Sequence, residues 1–500
     1  MIYTITSILK SDHGGRTKSL LSRIKFLDEE LNITSKILTT NYNANYQEVY
    51  QKFLEEGKVT ANTEYENIYD WLSGYKVLNT VKSKFLKKEK INETPYEIKG
   101  LTAKVAKESN IIRYYDGKTY VLYRRFYPNT KILEFEDFMS PISKRKIERW
   151  QYNKNGILHR KIYYSHTNFH RLVEEYFDTE GNIYCKKLFE NNDENKLIYI
   201  QTYKNNRPFM TFSSEKKLFE YYFEQRFKEK DIVFCDARLL DAPLLKQSKP
   251  THNILVFHSS HLNGKNIKGS YKYALENYDE VSKYIVLTHQ QKEDIQNVTS
   301  IDSKKFAIIP HFINNEHSLK ENIHKEDRFL FMGRLSPEKQ IDHIIKAYKQ
   351  FLNQDYNTEL HIFGQDEQNQ KEILEQLIKE YNLSDKVKIK DHTSEPLIEF
   401  QKSRASLLTS KFKGFGLSVM ESIEMNCPVI SYDVRYGPSE IIEHGKNGYL
   451  VEENNITEFA NYMKKIVDEP LENVKTKPEL TYGAAIQNYK QLFEEIEKYR

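Results

Sequence analysis

The chain has 500 residues, which is too long for one simple domain and indicates about three. It carries 75 Lys and Arg against 71 Asp and Glu, and a net charge of only +4 argues against a dedicated nucleic-acid binder. Aromatic residues make up 13%, with 36 Tyr, which excludes a disordered chain. The three cysteines are too few and too far apart for a disulfide framework or a metal cluster, as is typical of a reducing compartment.

The N-terminal stretch MIYTITSILK is apolar, but it lacks a basic segment before it and a small-residue cleavage site after it. No run of the sequence approaches the roughly 18 apolar residues that a membrane helix needs. We therefore expect a cytoplasmic protein that makes at most peripheral contact with the inner face of the membrane.

Strand and helix patterns alternate at the start of the chain. Residues 1–9 and 33–39 are predicted strands, and residues 17–30 and 45–56 are predicted amphipathic helices. This βαβ spacing favours a parallel sheet, and we assign residues 1–71 to the first part of an N-terminal Rossmann-like lobe.

Residues 72–212 have a different pattern, in which turn signals separate short runs rich in Tyr, Ile and Val. The turns are at Asp116 and Gly117, Asn155 and Gly156, Gly181 and Asn182, and residues 204–206. Such turns between alternating apolar residues predict four hairpins of an antiparallel meander. The edges of this sheet make it a candidate surface for a homo-oligomer or for an acceptor. The alternative is a packed β-domain with a solvated outer face.

The α/β pattern resumes in residues 213–315, which complete the N-terminal lobe. A charged linker over 315–327 precedes a second doubly wound unit over 328–482, and a C-terminal helix follows over 483–500. The predicted fold class is therefore α/β, with two Rossmann-like lobes that face a cleft and a β-rich insert in the first. Ligands of doubly wound sheets bind at the carboxyl ends of the strands, so we expect the site in that cleft.

Two glycine-containing loops precede predicted helices. Gly14 and Gly15 follow the first strand, and Gly416 with Leu417 opens the helix over 418–425, so both loops offer free amides to an anion. Glu421 lies one turn into that helix, where a carboxylate can accept two ribose hydroxyls. The alternatives are ordinary turns and a solvated carboxylate.

Arg334 and Lys339 lie on one loop, GRLSPEK, at the end of the first strand of the second lobe. A planar guanidinium and a compact ammonium together suit a diphosphate. The alternative is a solvated charged loop.

His258 ends the predicted strand over 253–258, and His261 follows. No Cys, Asp or Glu ligands cluster nearby, so a contact with a sugar hydroxyl, or a structural role, is favoured over a metal site.

In this order, the motifs resemble those of the retaining family-four glycosyltransferases of the GT-B fold. GRLSPEKQID and GFGLSVMES are the most specific of them. The stretches over 432–439 and 447–450 are similar to those of bacterial wall teichoic acid α-glycosyltransferases of the poly(glycerol-phosphate) or poly(ribitol-phosphate) type. The resemblance implies transfer of glucose or N-acetylglucosamine from a UDP-sugar to a polyanionic polyol-phosphate polymer in α-linkage, with no metal or other cofactor.

The resemblance also implies a role for each candidate residue. Arg334 and Lys339 would neutralise the diphosphate, helped by the amides of Gly416 and Leu417 and by the loop at Gly14 and Gly15. Glu421 would hold the ribose, His392 and Thr393 would hold uracil, and His258 would contact the sugar. Transfer would retain the anomeric configuration by front-face attack, with the leaving phosphate helping to deprotonate the acceptor.

Lys413 is a departure from the family pattern, which has a glutamate eight positions before Glu421, near the donor sugar. Three interpretations follow: an active enzyme with altered donor handling, a paralogue that binds but does not transfer, or a lysine that turns out to solvent while another carboxylate serves. We expect an active enzyme, because the other donor residues are present.

Two other functions remain open. One is a transferase that modifies Ser or Thr of a serine-rich surface adhesin, and the other is a non-catalytic partner subunit that uses the β-insert for binding. For a polyanionic acceptor, the basic runs over 82–90 and 144–149 are a candidate patch, although such runs are usually solvated faces.

Overall fold

The structure is a computed structural model that describes residues 1–77, 91–106, 110–264, 266–313, 323–352 and 356–498. The basic run over 82–90 and residues 315–322 of the predicted linker lie outside the described residues. The contacts of the chain divide it into two compact units, Met1–Thr17 with Arg23–Thr251 and Lys18–Ser22 with His252–Arg500. The predicted domain limits remain a prediction.

The first unit begins with the predicted alternation of strands and helices. Its elements are β1 (Ile2–Thr6), α1 (Gly15–Leu31), β2 (Lys36–Thr39), α2 (Tyr46–Glu55), β3 (Glu64–Asn67) and α3 (Ile68–Leu72). β1 pairs with β2 and β2 with β3, both in parallel, which confirms the predicted parallel arrangement. The strand ends earlier than predicted, at Thr6, and the helix begins directly at Gly15.

The insert is a ten-stranded antiparallel sheet in which every strand pairs with its neighbours in the chain. Its strands are β4 (Thr102–Val105), β5 (Ile111–Asp116), β6 (Thr119–Phe126), β7 (Leu133–Met139), β8 (Lys146–Tyr152), β9 (Leu158–Tyr164), β10 (Arg171–Phe177), β11 (Ile183–Phe189), β12 (Leu197–Lys204) and β13 (Arg207–Phe212). The four predicted hairpins are confirmed. β4 and β7 are additional strands that the turn signals did not predict.

The rest of the first unit returns to α/β structure with α4 (Glu215–Arg226), β14 (Ile232–Cys235) and α5 (Asp241–Lys246). β14 pairs in parallel with β1. The guanidinium of Arg23, in α1, donates to both carboxylate oxygens of Asp236, the residue after β14, at 3.1 and 2.5 Å. Both side chains are buried, so the two charges balance each other away from water.

The second unit contains three parallel strands with a short hairpin, and a six-stranded parallel sheet follows them in the chain. The first set consists of β15 (His252–Val256), β16 (Leu262–Asn263), β17 (Asn266–Ile267), α6 (Gly269–Glu276), β18 (Lys283–Val286), α7 (His289–Gln296) and β19 (Phe306–Ile308). β15 pairs with β18 and β18 with β19 in parallel, while β16 and β17 form a short antiparallel hairpin.

The sheet of the second unit has six parallel strands in the order β22-β21-β20-β23-β24-β25. The elements are β20 (Arg328–Met332), α8 (Ile341–Leu352), β21 (Glu359–Phe363), α9 (Gln370–Glu380), β22 (Val387–Lys390), α10 (Pro396–Lys402), β23 (Ala405–Leu408), α11 (Leu417–Glu424), β24 (Val429–Tyr432), α12 (Pro438–Ile441), β25 (Gly448–Val451), α13 (Ile456–Asp468) and α14 (Tyr482–Glu497). Phe329, Leu360 and Ile430 of the strands pack against Ile344 and Phe459 of the helices in its core.

All three cysteines are buried and free, so none forms a disulfide. Within the described ranges, no helix is long and apolar enough to cross a membrane.

Candidate functional site

The two loops that carry most of the candidate residues lie side by side in the second unit. The loop over 333–340 follows β20 and the loop over 409–416 follows β23, and these strands are adjacent and parallel. The amide of Lys411 donates to the carbonyl of Glu338 at 3.0 Å, which joins the loops directly. Because the carboxyl ends of parallel strands share one edge of the sheet, the predicted phosphate-binding groups are brought together there.

Arg334 is exposed, and its charge is already balanced by protein carboxylates. Its guanidinium donates to Glu367 at 2.6 Å and to Glu338 at 3.3 Å. The hydrogen bond that Arg334 donates to Glu367 raises the pKa of Arg334, so the group stays cationic. A diphosphate that binds here must share the guanidinium with Glu367 or displace it.

Lys339 is half-buried on the same loop, in contrast to Arg334. Burial lowers the pKa of its ammonium, and the nearby Glu338 carboxylate opposes this shift. An ammonium that has lost part of its hydration in this way interacts more strongly with an anion than a fully solvated one.

Lys413 is held by backbone hydrogen bonds on both sides. Its amide donates to the carbonyl of Arg435 at 2.9 Å, and its carbonyl accepts from the amide of Tyr436 at 2.8 Å. The side chain is half-buried. Burial and the neighbouring Lys339 ammonium lower the pKa of Lys413 to about 7. The three interpretations of this residue remain predictions.

Glu421 is buried in α11, with 9% of its surface exposed, and it has a partner that the sequence did not reveal. Oε1 of Glu421 forms an ion pair with the ammonium of Lys18, from the first turn of α1. A carboxylate at this position can accept hydrogen bonds from hydroxyl groups. The only sequence signal for Lys18 was its position one turn after Gly14 and Gly15.

The fold requires both glycines of the GFGL loop, Gly416 because of its φ of 125° and Gly414 because of a close packing contact. A Cβ at Gly414 would lie 2.0 Å from the carbonyl oxygen of His258, a distance that no side chain tolerates. Gly414 thus has a packing role. Gly416 is the N-cap of α11 without a side-chain cap, and Leu417 is the first helical residue, so their amides remain available to an anion.

His258 lies two residues beyond the end of β15, and its ring stacks on His311, with 5.7 Å between the ring centres. His311 follows β19, and its Nδ1 is hydrogen-bonded to the hydroxyl of Ser19 at 2.7 Å. Sequence reasoning missed His311 and Ser19. His311 was detectable as a second histidine just after a strand, although its contact with Ser19 was not.

His261 has a different environment from His258, and the two do not form a pair of ligands. Its ring is fully buried and nearly parallel to Tyr436, at 6.1 Å, and burial lowers its pKa to about 4. Among the described residues, no group of three or more His, Cys, Asp or Glu is arranged to hold a metal ion.

The remaining candidates lie apart from this cluster. His392 and Thr393 follow β22 on the same sheet edge, and β21 separates β22 from β20. His392 is exposed, and the hydroxyl of Thr393 accepts from the amide of Glu395 at 3.1 Å. Gly14, in the first unit, is the N-cap of α1 at φ −86°, and a Cβ there would meet no atom within 4 Å. The fold itself therefore does not require glycine at position 14.

Two families of known proteins match the chain. The model for glycosyl transferases group 1 matches residues 314–481, and the model for glycosyl transferase 1 domain A matches residues 3–204. The first match contains Arg334, Lys339, Lys413 and Glu421, so the clustered candidates lie in the transferase domain.

Two curated relatives are similar along nearly the whole chain. The poly(ribitol-phosphate) alpha-N-acetylglucosaminyltransferase of Staphylococcus aureus is 27% identical over 478 residues, which cover 93% of this chain and 92% of that protein. The poly(glycerol-phosphate) alpha-glucosyltransferase of Bacillus subtilis is 27% identical over 472 residues, which cover 92% of this chain and 68% of that protein.

A solved structure has the same fold. It is the crystal structure of a Staphylococcus aureus TarM mutant in complex with Fondaparinux, alpha-GlcNAc-glycerol and UDP, with a TM-score of 0.80. The match covers 98% of this chain and 99% of that one at 23% identity. The chain therefore has the GT-B fold, and its residues 314–481 match the glycosyl transferases group 1 family.

Proposed function

We propose that the chain is a retaining glycosyltransferase that transfers a hexose or N-acetylhexosamine from a UDP-sugar to a polyol-phosphate polymer, wall teichoic acid, in α-linkage. The observation that carries this proposal is the similarity to two polyol-phosphate glycosyltransferases over 93% and 92% of the chain. One relative is named for N-acetylglucosamine and the other for glucose, so both sugars belong in the test.

Departure of the nucleotide diphosphate is the step that the cation cluster would assist. Arg334 and Lys339 lie on one loop, and the amides of Gly416 and Leu417 lie on the adjoining one. Donors placed where negative charge develops lower the barrier to reaction without the need to reorganise. In this proposal the side chains take the role that a metal ion has in other transferases, and no cofactor is required.

The rest of the donor would be held by residues around this cluster. The Lys18 contact is made by Oε1 of Glu421, so Oε2 remains for a ribose hydroxyl. His392 and Thr393 would contact uracil, and the loop at Gly14 and Gly15 would lie against the diphosphate. His258 would bind a sugar hydroxyl, and its stacking on His311 would fix the orientation of its ring.

Retention of configuration requires that the acceptor attack the face from which the phosphate leaves. The bond between the anomeric carbon and the phosphate oxygen breaks, and the acceptor oxygen bonds to the same face. The acceptor proton passes to the leaving phosphate oxygen. Cations beside that phosphate stabilise its charge until the proton arrives.

Lys413 is compatible with activity in this proposal, because its lowered pKa leaves part of the population neutral near pH 7. We expect Lys413→Glu to keep or raise transfer from the UDP-sugar. A wild-type chain that binds UDP but neither transfers sugar nor hydrolyses the donor is a partner subunit instead.

Parallel transfer assays test the proposal. UDP-glucose and UDP-N-acetylglucosamine are each offered with poly(glycerol phosphate), poly(ribitol phosphate) and a Ser-rich peptide, and mass spectrometry identifies the product. Label on the peptide alone would support the adhesin alternative, which has less support because both relatives are named for polyol phosphates. NMR of the product tests the α-linkage, and activity in EDTA tests independence from metal.

The cytoplasmic location and a homo-oligomer formed through the insert belong to the same proposal. Light scattering of the full chain and of a variant with a charge introduced on an edge strand of the insert measures the oligomer. Fractionation of cells measures the location.

A further inference from the structure

The β-insert contains a cavity of about 440 Å³ that has no part in the donor site described above. It opens between β9, β10 and the turn that joins them. Its lining combines the cations Arg160 and Arg171, the rings of Tyr164 and Phe169, the amide of Asn195 and the carboxylate of Glu174. All of these residues belong to the first compact unit, whereas Arg334, Lys339 and Glu421 belong to the second.

Two further cations lie against the rings that line this cavity. The Arg145 guanidinium is 4.7 Å from the ring centre of Phe169, and the Lys146 ammonium is 4.2 Å from that of Tyr164. These cation–π contacts hold both charges beside the cavity. The basic run over 144–149, which the sequence left undecided between a patch and a solvated face, thus contributes at least two charges here.

The acidic groups near the cavity do not cancel this charge. Glu174 is buried, and it accepts from Arg171 at 2.8 Å and from the hydroxyl of Tyr176 at 2.6 Å. In the loop that contains Asn195, Asp193 is exposed, and Glu194 forms an ion pair with Lys196. Arg145, Lys146, Arg160 and Arg171 therefore outnumber the lining carboxylate, and a net positive cavity attracts an anion.

We propose that this cavity binds a phosphodiester-linked polyol segment of the acceptor polymer, as a second attachment point separate from the site of transfer. This inference rests on the proposed function. The arginines would pair with phosphate oxygens, and the rings would cover the carbon chain. The amide nitrogen of Asn195 already donates to the carbonyls of Arg171 and Glu190, so its Oδ1 would accept from polyol hydroxyls. A polymer held at one point on the protein rebinds at the other with a raised effective concentration, so long acceptors gain affinity that a single repeat does not.

Arg171 and Arg125 offer a matched comparison. Each is an arginine of the insert paired with one glutamate, Arg171 with Glu174 at 2.8 Å and Arg125 with Glu134 at 3.1 Å. Their side chains are 49% and 45% exposed. Only Arg171 lines the cavity, so Arg125→Gln is the control for the loss of one exposed, paired arginine.

The test measures binding of a labelled poly(glycerol phosphate) oligomer by fluorescence anisotropy at low salt. We expect the pair Arg145→Gln and Arg171→Gln to raise the Kd for the oligomer about tenfold, and Arg125→Gln to change it less than about twofold. Arg145→Gln alone, which leaves the Arg171–Glu174 pair intact, is expected to raise it about threefold. UDP binding and the melting temperature check that each variant is folded.

Equal oligomer binding by the wild type, the double variant and Arg125→Gln would overturn the inference. Equally tight binding of a neutral dextran of the same length would also overturn it, because the cavity would then not select phosphate. The proposed function is tested separately by turnover. If the wild type transfers no sugar to any polyol phosphate, the proposed function is wrong. Oligomer binding that depends on the charges of Arg145 and Arg171 would still support the cavity as a binding site.

Discussion

The ammonium of Lys18 and the carboxylate of Glu421 form an ion pair inside the second compact unit. The two residues are 403 positions apart in the chain. The Lys18 side chain is 50% exposed and that of Glu421 only 11%, so the buried carboxylate depends on a partner that reaches it from a more exposed position. Burial of a carboxylate without such a partner raises the free energy of the folded protein.

Removal of Lys18 should therefore weaken nucleotide binding. We expect Lys18→Met to raise the Kd for UDP about tenfold, because Glu421 loses the ion-pair partner that orients its carboxylate. Titration calorimetry measures this. Lys25→Met is the control, since Lys25 belongs to the same helix and forms an ion pair with Glu29, at 3.7 Å. Equal UDP affinities of the two variants would contradict the prediction.

Two glycine substitutions should separate packing from ligand contact. Gly414→Ala puts a Cβ 2.0 Å from the His258 carbonyl oxygen, and we expect it to lower stability by about 2 kcal/mol or more. Gly14→Ala meets no atom within 4 Å, so its melting temperature should match the wild type while its Kd for UDP rises. Thermal unfolding and UDP titration measure both, and a destabilised Gly14→Ala would contradict the assignment.

UDP binding should take up a proton at Lys413. The pKa of this ammonium is lowered to about 7, so above pH 7 the free protein holds it mostly neutral. A bound diphosphate favours the charged form and raises that pKa. We expect proton uptake between about pH 7 and 9 in calorimetry across buffers of different ionisation enthalpy. Lys413→Met should lack this proton uptake, because it has no ammonium at this position. Protonation of the nucleotide itself is common to both proteins and cancels in the comparison.

The same shift should appear in the pH dependence of folding. The lysine has a pKa near 10.4 in the unfolded chain and about 7 in the folded one, so the unfolded state binds more protons between these values. Stability contributed by this site is therefore lowest below pH 7 and rises with pH across that window. Urea unfolding from pH 6 to 9 should show a steeper rise for the wild type than for Lys413→Met. Parallel curves would contradict the shift.

The features that the sequence predicted well are those encoded by neighbouring residues. The turn at Asp116 and Gly117 predicted its hairpin, because a glycine at positive φ between alternating apolar residues is a local signal. The turn before β7 was missed, since it uses Asn129 at positive φ without a following glycine. The need for glycine at position 414 was not predictable, because the His258 carbonyl that requires it is 156 residues away in the chain.

The cation loop was predictable for a similar reason, since Arg334 and Lys339 lie on one short segment after a buried strand. The second carboxylate partner of Arg334 was not, because Glu367 follows a different strand. Lys18 and His311 join the candidate site only through contacts between distant segments. Such contacts have no periodicity in the sequence and become visible only once the strands are ordered.

The strictly sequential pairing of the insert has a consequence for how such a sheet varies in length. Because each of its ten strands pairs only with its chain neighbours, one hairpin can be removed or duplicated without rerouting any other connection. Two strands at about 4.8 Å spacing change the width of the sheet by about 10 Å and leave the chain direction unchanged. The width of the insert is therefore set by the number of its hairpins.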